Sequence, residues 1–395
     1  MSRRVLVPVI IIMVCLALPG CAARGLYANC EELGQLQLIQ TLGIDRRGAE
    51  GVVVSVASGA DVGERAPAVL SAEGRSVSEA LELLQKYSPR ESLYFAHTQF
   101  LLLGEDCARR GVAPWLDYVQ RLPQMRTGAE LFLVRGADAR TLITGSGDGQ
   151  YDVSDKLHAL LRELEHQCGE RVYSCAEVSR RLAESGAALV HAVDAADSGG
   201  VVFSGGGGLS VLSAGYGVLR GDRLVGWLSG DAAKAVGLFE GTLSGGTVSL
   251  RLKDGSLAAV YLLSGETKLE PVWDADGALR GLRVEAALLS ALAELETPAL
   301  ADREDLDALL SDALARRAEG WLRAALDFSQ AEGADFLALG QRLRRADPRR
   351  YDAMPAPFAE ALPGLEIEVS AEAALLHGYD SRGSVPVRGD AGGGA

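Results

Sequence analysis

Cys21 is the residue of this chain whose surroundings specify a reaction most fully. Ser2-Arg3-Arg4 supplies positive charge, Val5–Leu18 is an apolar run of 14 residues, and Leu18-Pro19-Gly20-Cys21 follows at once. Basic, apolar, small, then cysteine is the order of a bacterial lipobox, in which the thiol receives diacylglycerol as an export signal is removed. Pro19 stands where Ala, Ser or Thr is usual. The run is shorter than the ~20 residues that a spanning helix needs. The expectation is therefore a signal peptide over residues 1–20 and lipid attachment at Cys21. Acyl chains contribute about 0.8 kcal/mol per buried CH₂, so a doubly acylated Cys21 holds the chain at a bilayer without a spanning helix.

No other reactive residue type is spaced for catalysis or metal binding. His158 and His166 lie eight apart on a helical stretch, about 80° around its axis and ~12 Å along it. Helical metal ligands sit at i, i+4, so both read as solvated or satisfied polar residues. His97 follows an aromatic stretch and reads as a hydrogen-bonded structural histidine on a strand. Cys30, Cys107, Cys168 and Cys175 form no C-x-x-C, which argues against zinc and thioredoxin-like chemistry. Export permits a disulfide, and Cys168 with Cys175 is the nearest pair; free thiols are the other reading. No lysine precedes Ser or Thr, so no P-loop exists. Gly215-Tyr216-Gly217 fails the dinucleotide test because Arg220 occupies the third glycine's place. Gly145-Ser146-Gly147 is not a nucleophile elbow. Asp302, Glu304, Asp305 and Asp307 read as an acidic helix start favoured by the helix dipole. Trp227, Trp273 and Trp321 fall in strand or helix patterns and suit a core or an interface. No catalytic, metal or cofactor-binding residue is expected.

Composition narrows the field further. The 395 residues are 48% hydrophobic and 23% charged, a globular balance, and mean hydropathy is +0.11 with one long apolar run, which excludes a polytopic membrane protein. The formal net charge is −14, and a chain this acidic repels phosphate backbones. Loss of Arg3 and Arg4 with the export signal makes it −16. Such a body stands off anionic lipid or docks on another protein. Six cysteines in this length do not make a disulfide scaffold.

Several elements must then position whatever site there is. Residues 21–35 are a lipidated start and polar spacer. Gln37–Asp45 and Val52–Val56 around Gly48 and Gly51 read as a hairpin. Ser76-Val77-Ser78-Glu79 is a capping box opening a helix that Pro89 stops. Leu93–Leu103 reads as a strand, Ala113–Arg121 as a helix, Leu131–Val134 as a strand and Lys156–His166 as a helix. Residues 194–208 are Gly-rich and read as a linker between an N-terminal part, 36–193, and a C-terminal part, 209–380. In the latter, Gly221-Asp222 turns a hairpin, Asp231 caps a short helix to Leu238, and Thr247–Leu252, Ala258–Leu263 and Arg283–Leu289 are strands. Arg303–Phe328 is a long helix, more suited to packing within the chain than on a partner. Leu365–Ala373 alternates as a strand with one wet face. Residues 381–395 read as a disordered tail. The fold class expected is α+β, multidomain, with mixed or antiparallel sheets and packed helices, in a lipid-anchored ectodomain.

These segments, in this order, resemble the Ger(x)C family, the lipoprotein C subunit of spore nutrient-germinant receptors. The resemblance rests on Glu31-Glu32-Leu33, Leu42-Gly43-Ile44-Asp45, Ser78-Glu79-Ala80-Leu81, Leu93-Tyr94-Phe95-Ala96-His97 and Leu103-Gly104-Glu105. Further on it rests on Gly217-Val218-Leu219, Asp222–Leu228 with its Leu-Val-Gly-Trp-Leu run, Gly245-Gly246-Thr247, Ala334-Asp335-Phe336, Leu339-Gly340, Leu343-Arg344-Arg345 and Leu365–Leu375. Two places differ from the family pattern: Cys21 is followed by Ala22-Ala23-Arg24 and not by Trp-Asp, and Gly205–Gly208 resembles a local insertion. The resemblance implies an α+β protein of three domains without catalytic activity. It would sit with a permease-like B subunit and an A subunit on the outer face of the inner spore membrane, where such complexes respond to small nutrients. The alternatives weighed are a solute-binding lipoprotein of a transport system, which needs two similar lobes closing on a cleft, and a lipid-anchored hydrolase, which needs a nucleophile and base.

Overall fold

The computed structural model describes residues 36–58, 69–88, 92–146, 152–196, 209–296 and 303–376. The expected signal peptide, Cys21, the spacer and the tail lie outside these residues.

The larger sheet has nine strands. β1 (Leu36–Arg47), β2 (Gly51–Ser58) and β3 (Val69–Gly74) form an antiparallel meander. β1 also runs parallel to the short β4 (Ser92–Tyr94) and to β5 (Phe100–Gly104). β5, β6 (Glu130–Arg135) and β7 (Ala187–Ala196) continue in parallel, and β8 (Ser210–Arg220) and β9 (Arg223–Leu228) close the sheet antiparallel. β5 and the middle of β6 are unbroken apolar runs, the pattern of a sheet covered on both faces. Leu101, Leu103, Leu131 and Leu133 enter one core; Phe100, Leu102, Phe132 and Val134 enter the other.

Helices supply both covers. α1 (Val77–Tyr87), α2 (Glu105–Arg110), α3 (Ala113–Arg121) and α6 (Cys175–Ser185) bury residues in the first core; α4 (Ala139–Gly145) and α5 (Val153–Glu163) bury theirs in the second. The caps explain several of their starts. Ser76 accepts the Glu79 N–H, and Asp152/Asp155 and Ser174/Glu177 make reciprocal capping boxes.

The smaller sheet has the order β10 (Thr247–Arg251), β11 (Leu257–Trp273), β12 (Leu279–Leu295), β13 (Glu366–Leu375), antiparallel except for the β12–β13 pair. α7 (Asp231–Glu240) leads into it. α8 (Leu306–Glu332) lies on one face, burying Leu310, Leu314, Trp321 and Leu322. α9 (Leu339–Ala346), α10 (Pro348–Asp352) and α11 (Phe358–Ala361) fill the return to β13. The fold is thus α+β with two mixed sheets and packed helices.

Several local expectations change. The run 93–103 is two strands, because Ala96 and His97 form a turn; His97 is exposed and off the strand. Asp231 does not cap its helix: Gly230, at φ +59°, is the N-cap, and Asp231 pairs with Arg317 at 2.6 Å. The expected strands near 260 and 286 are each 17 residues long, with bulges that absorb their irregular patterns. The helix expected over 156–166 starts at Val153, and a π-helical turn (Leu164–Cys168) extends it. Residues 194–196 belong to β7, whose antiparallel neighbour is β8, so 197–208 connects two adjacent strands of one sheet.

Candidate functional site

The segments that carry the resemblance converge on helix starts. β1 and β5 are parallel neighbours, with Ile44 opposite Leu103, so Asp45 and Gly104 end side by side. The Asp45 carboxylate accepts the N–H of Ala139 at 2.7 Å and of Arg140 at 2.8 Å. These are unpaired donors of the first turn of α4, where the helix dipole also favours an anion. Glycine is required beside it: a Cβ on Gly104 would lie 2.1 Å from Asp45 Oδ1. Glu105 continues the motif by accepting the Gly136 N–H at 2.9 Å. Burial outweighs the two hydrogen bonds and raises Asp45 to about 6.

Asp335 repeats the device. It is 3% exposed and accepts the N–H of Leu339 at 2.7 Å and of Gly340 at 2.9 Å, closing the start of α9. Desolvation raises it, too, to about 6. Ala338 reaches this turn with φ +55°. Gly340 admits the Phe358 ring, which a Cβ would approach to 2.8 Å. The Leu-Val-Gly-Trp-Leu run is β9, where Gly226 receives Phe328 of α8. The motifs found in the sequence therefore secure the framework.

A charged seam joins the two halves. Arg181 of α6 donates to Glu240 at 2.7 Å, and Arg171 reaches Glu240 at 3.4 Å and pairs with Glu177. Both guanidiniums lie over the Tyr173 ring, at 4.4 and 5.2 Å from its centroid. Arg342 of α9 donates to the Phe239 carbonyl. Nearby, burial and then Glu177 push Glu130 up to about 7. No sequence signal revealed this seam, since Arg181 and Glu240 are 59 residues apart.

One cluster has the residue types of acyl transfer. Ser213 Oγ lies 3.2 Å from His191 Nε2 and donates to Glu170 at 3.0 Å. In a working relay the acid holds the other ring nitrogen. Here Glu170 faces Nε2 at 3.9 Å, and the buried Nδ1 has no hydrogen-bond partner among the described residues. Full burial lowers His191 to about 3, so the ring is a weak base at neutral pH. The arrangement is a packed polar contact.

The remaining candidates are placed as follows. His158 meets the Phe100 ring edge-on, 4.8 Å between centroids, and His166 is exposed at the π turn. Cys107 and Cys175 are free, buried thiols raised to about 12 chiefly by desolvation. Trp321 is buried, and Trp273 stacks with Arg350. Among the described residues no acidic, cysteine and histidine side chains cluster as a metal site, and no helix is long and apolar enough to cross a membrane.

Among the described residues, nothing covers the second face of the smaller sheet. Rows of side chains cross that face: Glu266–Ala287–Glu372, Lys268–Glu285–Ser370 and Glu270–Arg283–Glu368. The first two rows line a groove of about 560 Å³.

Known proteins share this architecture. The family model for the spore germination protein N-terminal domain matches residues 30–193, and that for the spore germination B3/GerAC-like C-terminal domain matches residues 214–378. The putative spore germination protein YfkR of Bacillus subtilis (strain 168) is 27% identical over 155 residues, 36% of this chain. That match covers 38% of YfkR, so the chain spans about two fifths of this curated relative. The crystal structure of the GerBC protein superposes with a TM-score of 0.56 at 16% identity, covering 85% of this chain and 96% of that one, a likeness of fold.

Proposed function

The chain belongs to the Ger(x)C family of spore germination proteins, and from that premise we propose that it is the lipid-anchored C subunit of a nutrient germinant receptor. It works by assembly beside a permease-like B subunit and an A subunit at the inner spore membrane, with Cys21 carrying the lipid. The observation behind this reading is the presence of both family domains, in order, on one chain. The acidic charge supports a body that docks on protein and not on anionic lipid. A transporter's solute-binding lipoprotein is less well supported, because the two sheets differ in size and strand direction and do not form two similar lobes.

The lipid raises the concentration of the soluble body near its partners, so weak contacts suffice. Replacing Cys21 by Ala is expected to release the chain from spore membranes and to depress the nutrient response. Normal membrane retention together with a normal response would refute the proposal.

A further inference from the structure

We propose that the open face of the smaller sheet is the docking surface for a basic, amphipathic segment of a membrane partner. This inference rests on the assembly reading and assigns it a surface. The face has two zones. Toward one end, the row Tyr261–Ala291 pairs across β11 and β12, Leu289 and Ala374 form the next row, and Leu376 follows β13 by strand alternation. Leu257 lies farther along β11 on the same face. Of the six large apolar side chains exposed among the described residues, Leu257, Tyr261 and Leu376 belong here, at 41, 42 and 51% exposure. Such clustering on one face marks an interaction site more than scattered exposure does.

Beyond this apolar zone the three charged rows carry five glutamates against Lys268 and Arg283. Both cations are drawn to glutamates: Lys268 to Glu270 at 2.6 Å, and Arg283 to Glu368 at 3.2 Å and Glu270 at 3.8 Å. Glu266 and Glu372 have no ion-pair partner among the described residues. They stand on either side of Ala287, two strand spacings or roughly 10 Å apart. A small floor between two free carboxylates, beside an apolar shelf, suits lysines or arginines on one side of a segment and apolar residues on the other.

Charge excludes the other occupants. A second copy would set the same net-negative face against itself. An anionic bilayer is repelled likewise. Residues 377–395 hold two arginines against two aspartates and are rich in glycine, so they complement neither zone. Strand addition at the edge of β13 is also hindered, because α8 occupies that edge: Glu319 accepts the Ala371 N–H at 3.3 Å and Arg323 donates to the Val369 carbonyl at 3.4 Å.

The test is recovery of membrane subunits with the full-length chain from detergent-solubilised spore membranes. The double variant Glu266→Lys/Glu372→Lys is expected to recover at least tenfold less of the subunit that accompanies the wild type, with an unchanged melting curve because both side chains are exposed. A photo-crosslinker replacing Ala287 is expected to label a Lys/Arg-containing amphipathic segment of that subunit, whereas one replacing Glu82 on α1 does not. Equal recovery by variant and wild type overturns the docking face and leaves the assembly reading standing. Adducts on residues 377–395, on a second copy or on lipid overturn it as well. A wild-type chain that recovers no membrane subunit overturns the assembly reading, and the docking face with it.

Discussion

The two sheets use similar residues under opposite conditions. In the larger sheet, β5 and β6 are buried on both faces, with Phe100 and Phe132 on one side and Leu101 and Leu133 on the other. In the smaller sheet, β13 alternates between half-buried and exposed positions along its whole length. A doubly covered sheet cannot offer side chains to a partner without exposing core. A singly covered one keeps a face free, and here that face combines exposed apolar residues with unpaired carboxylates. The comparison assigns support to the first sheet and contact to the second.

Paired substitutions break or sharpen this contrast. The largest stability effect is expected for Phe132→Ala, about 3–5 kcal/mol from lost burial and a cavity. Tyr261→Ser on the open face should move stability by no more than about 0.5 kcal/mol. Urea unfolding of both variants measures the difference, and similar losses would mean that the smaller sheet is covered after all.

The next effect concerns helix anchoring. Asp45→Ala leaves the buried N–H of Ala139 and the part-buried N–H of Arg140 without their acceptor and should cost about 1–3 kcal/mol. Ionised Asp45 also makes stability depend on pH. Its folded pKa is about 6 against 3.8 in the unfolded chain, so between those values the folded state holds the extra proton. The stabilising contribution of Asp45 is therefore fully present below pH 4 and is lost as pH rises through 6. Asp335 has the same sign and window. Asp45→Asn removes this titration, so the urea midpoint of the wild type, relative to that of the variant, should fall between pH 4 and 7. An unchanged slope would show that Asp45 titrates normally in the fold.

Much of this framework was legible in the residues. Pro114 in a first turn marked the start of α3, and Gly48 and Gly51 set the β1–β2 hairpin. Those signals are local. Asp45 was visible as the end of a strand motif, yet its role needs the start of α4, 94 residues away in sequence. His97 seemed bound to a strand because aromatic residues precede it; the turn at Ala96 frees it. The seam of Arg171, Arg181 and Glu240 gave no pattern at all, because its partners come together only when α6 meets the end of α7. The open face was half legible. The alternation of β13 showed a wet side, but the matching rows on β11 and β12 depend on a register that bulges shift.

Carboxyl footprinting tests the division of labour between the sheets most directly. Glutamates would be labelled with a carbodiimide and an amine in the free full-length chain and in the chain assembled in solubilised spore membranes, and quantified residue by residue. Labelling of Glu266 and Glu372 is expected to fall severalfold on assembly while Glu50 in the β1–β2 turn and Glu82 on α1 stay constant. Unchanged labelling at Glu266 and Glu372, with protection at Glu50 and Glu82, would contradict the account.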